Sequence, residues 1–361
     1  MKQVSNKLIT SMISILLAGV VAGCGNGAAV SKTQPSSAPA AVTNVPSAAA
    51  AGTPAAAKVD VSKVTLRIGQ TGWGNLDAGF KAAQLADTPY KIEFSVFQGG
   101  NLQLEAMSAN HLDVALTSEI PPIFASQSAN GGNFKVIAVQ ESTTLKQELV
   151  IPKGSPIKSV KDLKGKQVAY VSSTTAHYFL LKMLEQNGLA WSDIKPVQLS
   201  TADGLGALIG GKVDALASYG NAIISAHQNG ATELASAKDI LSGNFLIEAT
   251  PDAIQDPGKH AAIADFLLRL NKFYDWTRAN QNKWAEITAQ NTNQPVEQAL
   301  ATLKDGEAQR SSKIVPTSDK AIASEQDVAD ALQVTGSLKE KINVSASWSH
   351  AFDDELKKAA K

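Results

Sequence analysis

Four short loops hold the residues that could do chemistry: Thr71-Gly72-Trp73-Gly74-Asn75, Gln98-Gly99-Gly100-Asn101, Ser118-Glu119 and Ser172-Ser173-Thr174-Thr175. They carry hydroxyls, amides, glycines, one indole and one carboxylate, but no Lys or Arg. That composition supports anion capture by dipoles. A run of hydroxyls leading into a helix at Ala176, above the free amides of its first turn, is an anion seat made of neutral donors. Such donors suit a permanently ionised, weakly basic group such as sulfonate, sulfate or nitrate. A carboxylate or phosphate usually recruits Arg. Taken alone, residues 172–175 also read as a helix cap in a polar loop, for which one hydroxyl suffices. The company of glycine loops, hydroxyls and Trp73 favours a ligand.

Catalytic chemistry finds less support. No Gly-x-Ser-x-Gly elbow, Walker loop or His-Glu-x-x-His occurs, and Gly204-Leu205-Gly206 with Gly210 misses the dinucleotide spacing by one residue. Glu119 and Glu141 lie near expected strand ends, where an acid–base pair could be built, but neither has an oxyanion or metal partner nearby in sequence. The chain is expected not to be an enzyme. His111, His177, His227, His260 and His350 never fall at metal-ligand spacing, and Cys24 is the single cysteine. No metal, cofactor or disulfide is expected.

The elements that position these loops follow from length and hydropathy. The 361 residues suffice for about two domains, and 44% hydrophobic against 18% charged residues can build packed cores. With 33 basic and 33 acidic side chains and only Arg67, Arg269, Arg278 and Arg310 as arginines, nucleic acid is not an expected partner. From residue 64 onward short apolar runs alternate with amphipathic stretches, the α/β pattern. Strands are expected at 64–69, 91–97, 114–117, 134–140, 167–171, 196–199 and 213–217. The four loops then all follow strands, where open α/β sheets bind ligands. A helix over 176–186 places Phe179, Leu180, Met183 and Leu184 on one face and stops at Asn187-Gly188. Ser200 or Thr201 caps the next helix, and Pro121-Pro122 opens another. Residues 251–311 read as helical without strands, with Ile263, Phe266, Leu267 and Leu270, then Phe273, Tyr274 and Trp276, as core.

At the N-terminus, Lys2 and Lys7 precede an apolar run over 8–21, too short to span a bilayer but suited to a secretory leader. It ends in Val21-Ala22-Gly23-Cys24, which resembles a bacterial lipobox, with Cys24 lipidated and becoming the mature N-terminus. Residues 25–58 are mostly Ala, Ser, Thr, Pro and Gly with Lys32 and Lys58 as the only charges, a tether that cannot build a core. The protein is expected to be exported and lipid-anchored to the cell membrane.

Three blocks then carry a resemblance. Leu104-Glu105-Ala106-Met107, His111-Leu112-Asp113-Val114 and Thr117-Ser118-Glu119-Ile120-Pro121-Pro122-Ile123-Phe124-Ala125 are similar to a "LEAL, IDFG, TGEAPPIFAQ" stretch. Gly154-Ser155-Pro156-Ile157 with Val160-Lys161-Asp162-Leu163-Lys164-Gly165-Lys166 is similar to "SPIKSVADLKGKKVA". Thr174, Thr175, His177 and Tyr178 fall on "SNVHY". In this order the blocks resemble the substrate-binding proteins of ABC importers for aliphatic sulfonates and taurine, relatives of nitrate and thiamine-precursor binders. The resemblance covers residues 64–310. The chain departs from it at Ser172-Ser173, where lysine and glycine are usual, and at Tyr219-Gly220-Asn221-Ala222, where "WDPY" is usual after "VDA".

The resemblance implies an α/β, two-lobed periplasmic-binding-protein fold of type II, each lobe a mixed sheet flanked by helices, with two crossing strands between them. The implied division is a leader at 1–23, lipidated Cys24 and linker at 24–60, lobe I at 61–145 with 245–361, and lobe II at 146–244. Strand ends and resemblance together nominate Trp73, Gly99, Gly100, Ser118, Glu119, Ser173, Thr174, Thr175, His177, Tyr178 and Tyr219 as ligand-binding. The implied function is a monomeric solute-binding lipoprotein that delivers an alkyl or aryl sulfonate, or a sulfate ester, to an ABC permease. Taurine or nitrate binding, or binding or synthesis of a thiamine-pyrimidine precursor, are alternatives on the same fold. Gly220 stands where the family's acid could meet the taurine ammonium, so an uncharged tail is preferred over taurine, although Glu141 reaching in from the hinge would rescue taurine.

Overall fold

The computed structural model describes residues 59–128 and 131–359, so the expected leader, Cys24 and the linker up to residue 58 lie outside the described residues. Lobe I begins with β1 (Thr65–Thr71), α1 (Asn75–Ala82), β2 (Lys91–Phe97), α2 (Gly100–Ser108), β3 (Val114–Ser118), α3 (Ile120–Ala125) and β4 (Lys135–Glu141). Leu66, Ile68 and Val114 share one face of these parallel strands and are fully buried there in one cluster with Phe80, Ile263 and Phe266. Lobe II contains β5 (Gln147–Ile151), β6 (Gln167–Tyr170), α4 (Thr175–Gln186), β7 (Lys195–Gln198), α5 (Thr201–Ile209), β8 (Ala215–Tyr219), α6 (Asn221–Gln228) and β9 (Thr232–Ser236). The chain then returns through β10 (Asn244–Ala249), α7 (Pro251–Gln255), α8 (Pro257–Ala279), α9 (Gln281–Thr292), α10 (Val296–Gln309), β11 (Lys313–Val315), α11 (Asp319–Val334) and α12 (Asp353–Ala359).

Two mixed sheets result, ordered β11-β4-β10-β3-β1-β2 and β7-β6-β8-β5-β9. In each, the chain direction reverses where the crossing strand inserts: β10 runs antiparallel to β3 and β4, and β5 antiparallel to β8 and β9. The chain crosses twice, from β4 to β5 and from β9 to β10. The crossing segments 142–146 and 237–243 are themselves irregular rather than strands, joined by Ser142 N–H donating to the Gly243 carbonyl at 2.9 Å. Gly243 has φ 73°, and a Cβ there would stand 2.6 Å from the Ser142 carbonyl oxygen, so this crossing needs glycine. Strands β5, β9, β10 and β11 are not among the seven ranges read from the sequence pattern. Thr232-Glu233-Leu234-Ala235-Ser236 has no apolar alternation because β9 is an edge strand with a largely solvated face.

The resemblance blocks resolve into structural devices. Asp113 accepts from the Arg67 N–H and guanidinium and from Lys259 Nζ, which ties β1, β3 and α8 together. Asp214 plays the same part in lobe II by accepting the Gln167 N–H at 2.8 Å. Ser159 and Asp162 form a capping box. In α8, Ile263, Phe266, Leu267, Leu270 and Phe273 form the expected buried stripe against the lobe I sheet. Ser200, rather than Thr201, caps α5. Helix α11 packs its Val328, Ala329 and Leu332 against Ile120 and Ile123 and also against Tyr178 of α4.

Candidate functional site

Four helices begin at the cleft between the sheets. Gly74, Gly99 and Gly220 precede α1, α2 and α6, and Thr174 caps α4. Three of the four caps therefore carry no side chain. Gly220 also has φ 57°. Residues of each of these helix starts line a cavity of about 280 Å3 whose lining holds no charged residue. Each helix start contributes a partial positive charge, so the cleft is electropositive without a cation. The remaining wall mixes neutral polar side chains, Gln70, Gln140, Thr143 and Gln147 among them, with an apolar part from Leu76, Leu116, Leu145, Phe245 and Tyr274.

Of the nominated residues, the structure brings together Gly100, Ser118, Thr174, Thr175 and Tyr219 at this cavity. Gly99 lies at its edge, where a Cβ would stand 2.9 Å from Tyr219 Oη. The Thr174 hydroxyl is already committed, donating to the Val171 carbonyl at 2.8 Å and accepting from the Ala176 N–H at 3.2 Å. The Thr175 hydroxyl has no protein partner among the described residues. Tyr219 donates to the Gln98 carbonyl at 3.1 Å, and Gln98 Oε1 accepts from Thr201 Oγ1 and the Ala202 N–H at 3.2 and 3.3 Å. Gln98 therefore clasps lobe I to lobe II at the rim.

The other nominees are placed elsewhere. Trp73 stacks on Trp284 at 5.6 Å and packs on the lobe I core. Ser173 lines a separate groove between α2, α3 and β7. His177 stacks on Phe124 at 5.7 Å and packs against Tyr170 and Trp191, where burial pushes its pKa down to about 4. Tyr178 is buried beneath α11. Glu119 sits behind the cavity, accepting from Ser242 Oγ and from Asn244 Nδ2, with its carboxyl pushed up by burial and held back by these bonds. Glu141 pairs with Arg310 and Lys313, both at 3.1 Å, and does not reach into the cleft. Packing therefore holds Trp73, His177 and Tyr178 away from this cavity, hydrogen bonds hold Glu119 behind it, and Ser173 faces the other groove.

Two further buried carboxyls lie under the cleft floor. Glu248 accepts from Thr117 Oγ1 at 2.6 Å and is pushed well up by burial and by nearby Glu325. Glu325 accepts from Trp348 Nε1 at 2.6 Å, and burial raises its pKa to about 8. Neither lines the cavity. Sequence reasoning missed Gln70, Asn75, Gln140, Thr143 and Gln147 of the lining. Asn75 closes the loop 71–75 and Gln70 immediately precedes it, so their signal is present in the sequence. Thr143 lies in the first crossing, with Gln140 in β4 and Gln147 in β5 on either side of it, and none of the three has a local mark.

A family model described as "ABC transporter, phosphonate, periplasmic substrate-binding protein" matches residues 83–275, more than half of the chain. A curated protein of Escherichia coli (strain K12) named for aliphatic sulfonate binding is 29% identical over 272 residues, covering 73% of this chain and 82% of that protein. Among solved structures, the alkanesulfonate-binding protein SsuA from Xanthomonas axonopodis pv. citri bound to MOPS is 26% identical with TM-score 0.72, covering 81% of this chain and 99% of that one. The desulfurization enzyme DszB, at 15% identity and TM-score 0.57 over 81% of this chain and 99% of its own, shares the fold.

Proposed function

The chain belongs to the family of periplasmic substrate-binding proteins of ABC transporters, and from that premise we propose that it captures an organosulfonate between its lobes and delivers it to a cognate permease. The observation that carries this reading is the cleft in which four helix starts converge and no charged side chain lines the wall. A sulfonate is fully ionised, singly charged and weakly basic, so neutral dipoles can hold it. A phosphonate approaching two charges would cost more to bury without a cation. Leu76, Leu145, Phe245 and Tyr274 favour an alkyl or aryl tail, and burial of that tail adds about 25 cal/mol per Å2. Taurine is disfavoured because Glu119 and Glu141 are engaged away from the cavity and leave its ammonium without an anion.

Binding without catalysis is the reading for a lining that holds no carboxylate, imidazole, amine or thiol. The finer assignments follow the same reading: a leader at 1–23, anchorage through Cys24 with a linker to residue 60, lobes divided at 145/146 and 244/245, and a monomer acting outside the cytoplasm. Calorimetry with hexanesulfonate, benzenesulfonate, taurine, nitrate and methylphosphonate tests it. Hexanesulfonate or benzenesulfonate should bind most tightly, and a hundredfold excess over Kd should stabilise the fold by about 2.7 kcal/mol. Failure of both to bind would remove the sulfonate reading, and taurine binding tenfold tighter than either would overturn the preference for an uncharged tail.

A further inference from the structure

Gln70, the penultimate residue of β1, lines the cleft with its side chain only 2% exposed. Its Oε1 accepts the Leu76 N–H at 3.0 Å in the first turn of α1. That bond fixes which end of the carboxamide is oxygen, since an amide turned the other way would set N–H against N–H. The opposite end, Nε2, is buried and has no hydrogen-bond partner among the described residues.

Gln103, the same residue type behind the same wall, shows the contrast. It is fully buried, its Nε2 donates to Thr71 Oγ1 and the Leu116 carbonyl, and its Oε1 accepts the Leu116 N–H. Gln103 is a finished structural bridge, while Gln70 is satisfied at one end only. A buried donor left unmade destabilises the empty protein, and an apolar residue would avoid that cost. The geometry points to Gln70 Nε2 as a direct hydrogen-bond donor to an oxygen of the bound anion, which makes Gln70 a specificity-determining residue of the cleft. This rests on the sulfonate reading. A sulfonate offers three acceptor oxygens and no donor, so it complements an N–H, whereas an ammonium end presented there would meet donor with donor.

The deciding substitution is Gln70→Glu, which keeps an oxygen for the Leu76 N–H and replaces the donor by an oxygen. Calorimetry with hexanesulfonate is run at pH 8 and pH 5 on both proteins. Wild type should bind equally at the two pH values, because no titratable side chain of the acidic or imidazole kind lines the cavity. Gln70→Glu should bind at least a hundredfold more weakly at pH 8 and recover to within about tenfold of wild type at pH 5, where the buried carboxyl takes a proton and becomes a donor again. Wild-type affinity at pH 8, or a loss that is the same at both pH values, overturns the assignment. If Gln70→Glu does not fold, Gln70→Met replaces it; a ten- to hundredfold loss supports the assignment, being the worth of one hydrogen bond to a charged acceptor, and unchanged affinity overturns it. A wild-type protein that ignores hexanesulfonate instead overturns the reading of the cleft itself.

Discussion

Thr174 and Thr175 are adjacent in sequence and differ in what their hydroxyls already do, so separate alanine substitutions should separate stability from binding. Thr174 Oγ1 donates to the Val171 carbonyl at 2.8 Å and accepts the Ala176 N–H at 3.2 Å, within a side chain 2% exposed. Thr174→Ala removes an N-cap, which costs about 1 kcal/mol, and strands two buried backbone groups, which can bring the total to about 2–3 kcal/mol. The melting temperature should fall by roughly 2–4 °C for each kcal/mol. Thr175→Ala removes a hydroxyl with no protein partner among the described residues, so stability should change by less than about 0.5 kcal/mol. Affinity should fall by about 1.5–3 kcal/mol, or roughly ten- to hundredfold, if that hydroxyl donates to the anion. Calorimetry with hexanesulfonate beside scanning calorimetry of the ligand-free proteins reads both quantities. Thr174→Ala losing more affinity than Thr175→Ala, with an unchanged melt, would refute the division of roles.

Other outcomes follow from the same contacts. Gln98→Ala removes the side-chain acceptor of Thr201 Oγ1 and the Ala202 N–H but keeps the carbonyl that Tyr219 uses. Ligand release measured by stopped flow should quicken by about three- to tenfold, the worth of part-exposed hydrogen bonds, and an unchanged rate would mean that the clasp does not hold the lobes together. Glu325 has its pKa raised from 4.5 to about 8 by burial, with Glu119 adding like-charge repulsion and Trp348 opposing. The folded state therefore keeps a proton that the unfolded chain releases. Its stabilising contribution is complete below about pH 4.5 and is lost as pH rises toward 8. Glu325→Gln should flatten that fall in denaturant melts; an equally steep fall in the variant would rule Glu325 out as its source. Cys24→Ser should abolish globomycin-sensitive processing and release the protein from the membrane fraction, and unchanged fractionation would exclude the anchor.

Much of the architecture is written locally. Strands such as Lys91–Phe97 and helix Thr175–Gln186 are legible because period, cap and stop lie within a dozen residues of one another. Glycine and hydroxyl loops after strands are equally local, so the cleft's chemistry, neutral donors at helix starts, can be read before any contact is known. Strands β5 and β9 are less legible because their places depend on partners beyond their own sequence: Glu148 sits buried on β5, and its His227 partner at 2.6 Å is 79 residues away.

The division within the loops is a tertiary decision. Nothing in Ser172-Ser173-Thr174-Thr175 says which hydroxyl is spent on the backbone and which faces the ligand. The Val171 carbonyl and the φ of 56° at Ser173 decide that. Trp73, His177 and Tyr178 look like ligand walls in sequence, yet Trp284, Phe124 and α11 offer them apolar surface first. Gln70 looks like any strand-end amide until Leu76 occupies its oxygen and leaves its N–H unmet. Sequence determines which groups are available at the strand ends. Long-range packing determines which of them still lack a partner, because a hydrogen bond made within the fold is no longer available to a ligand.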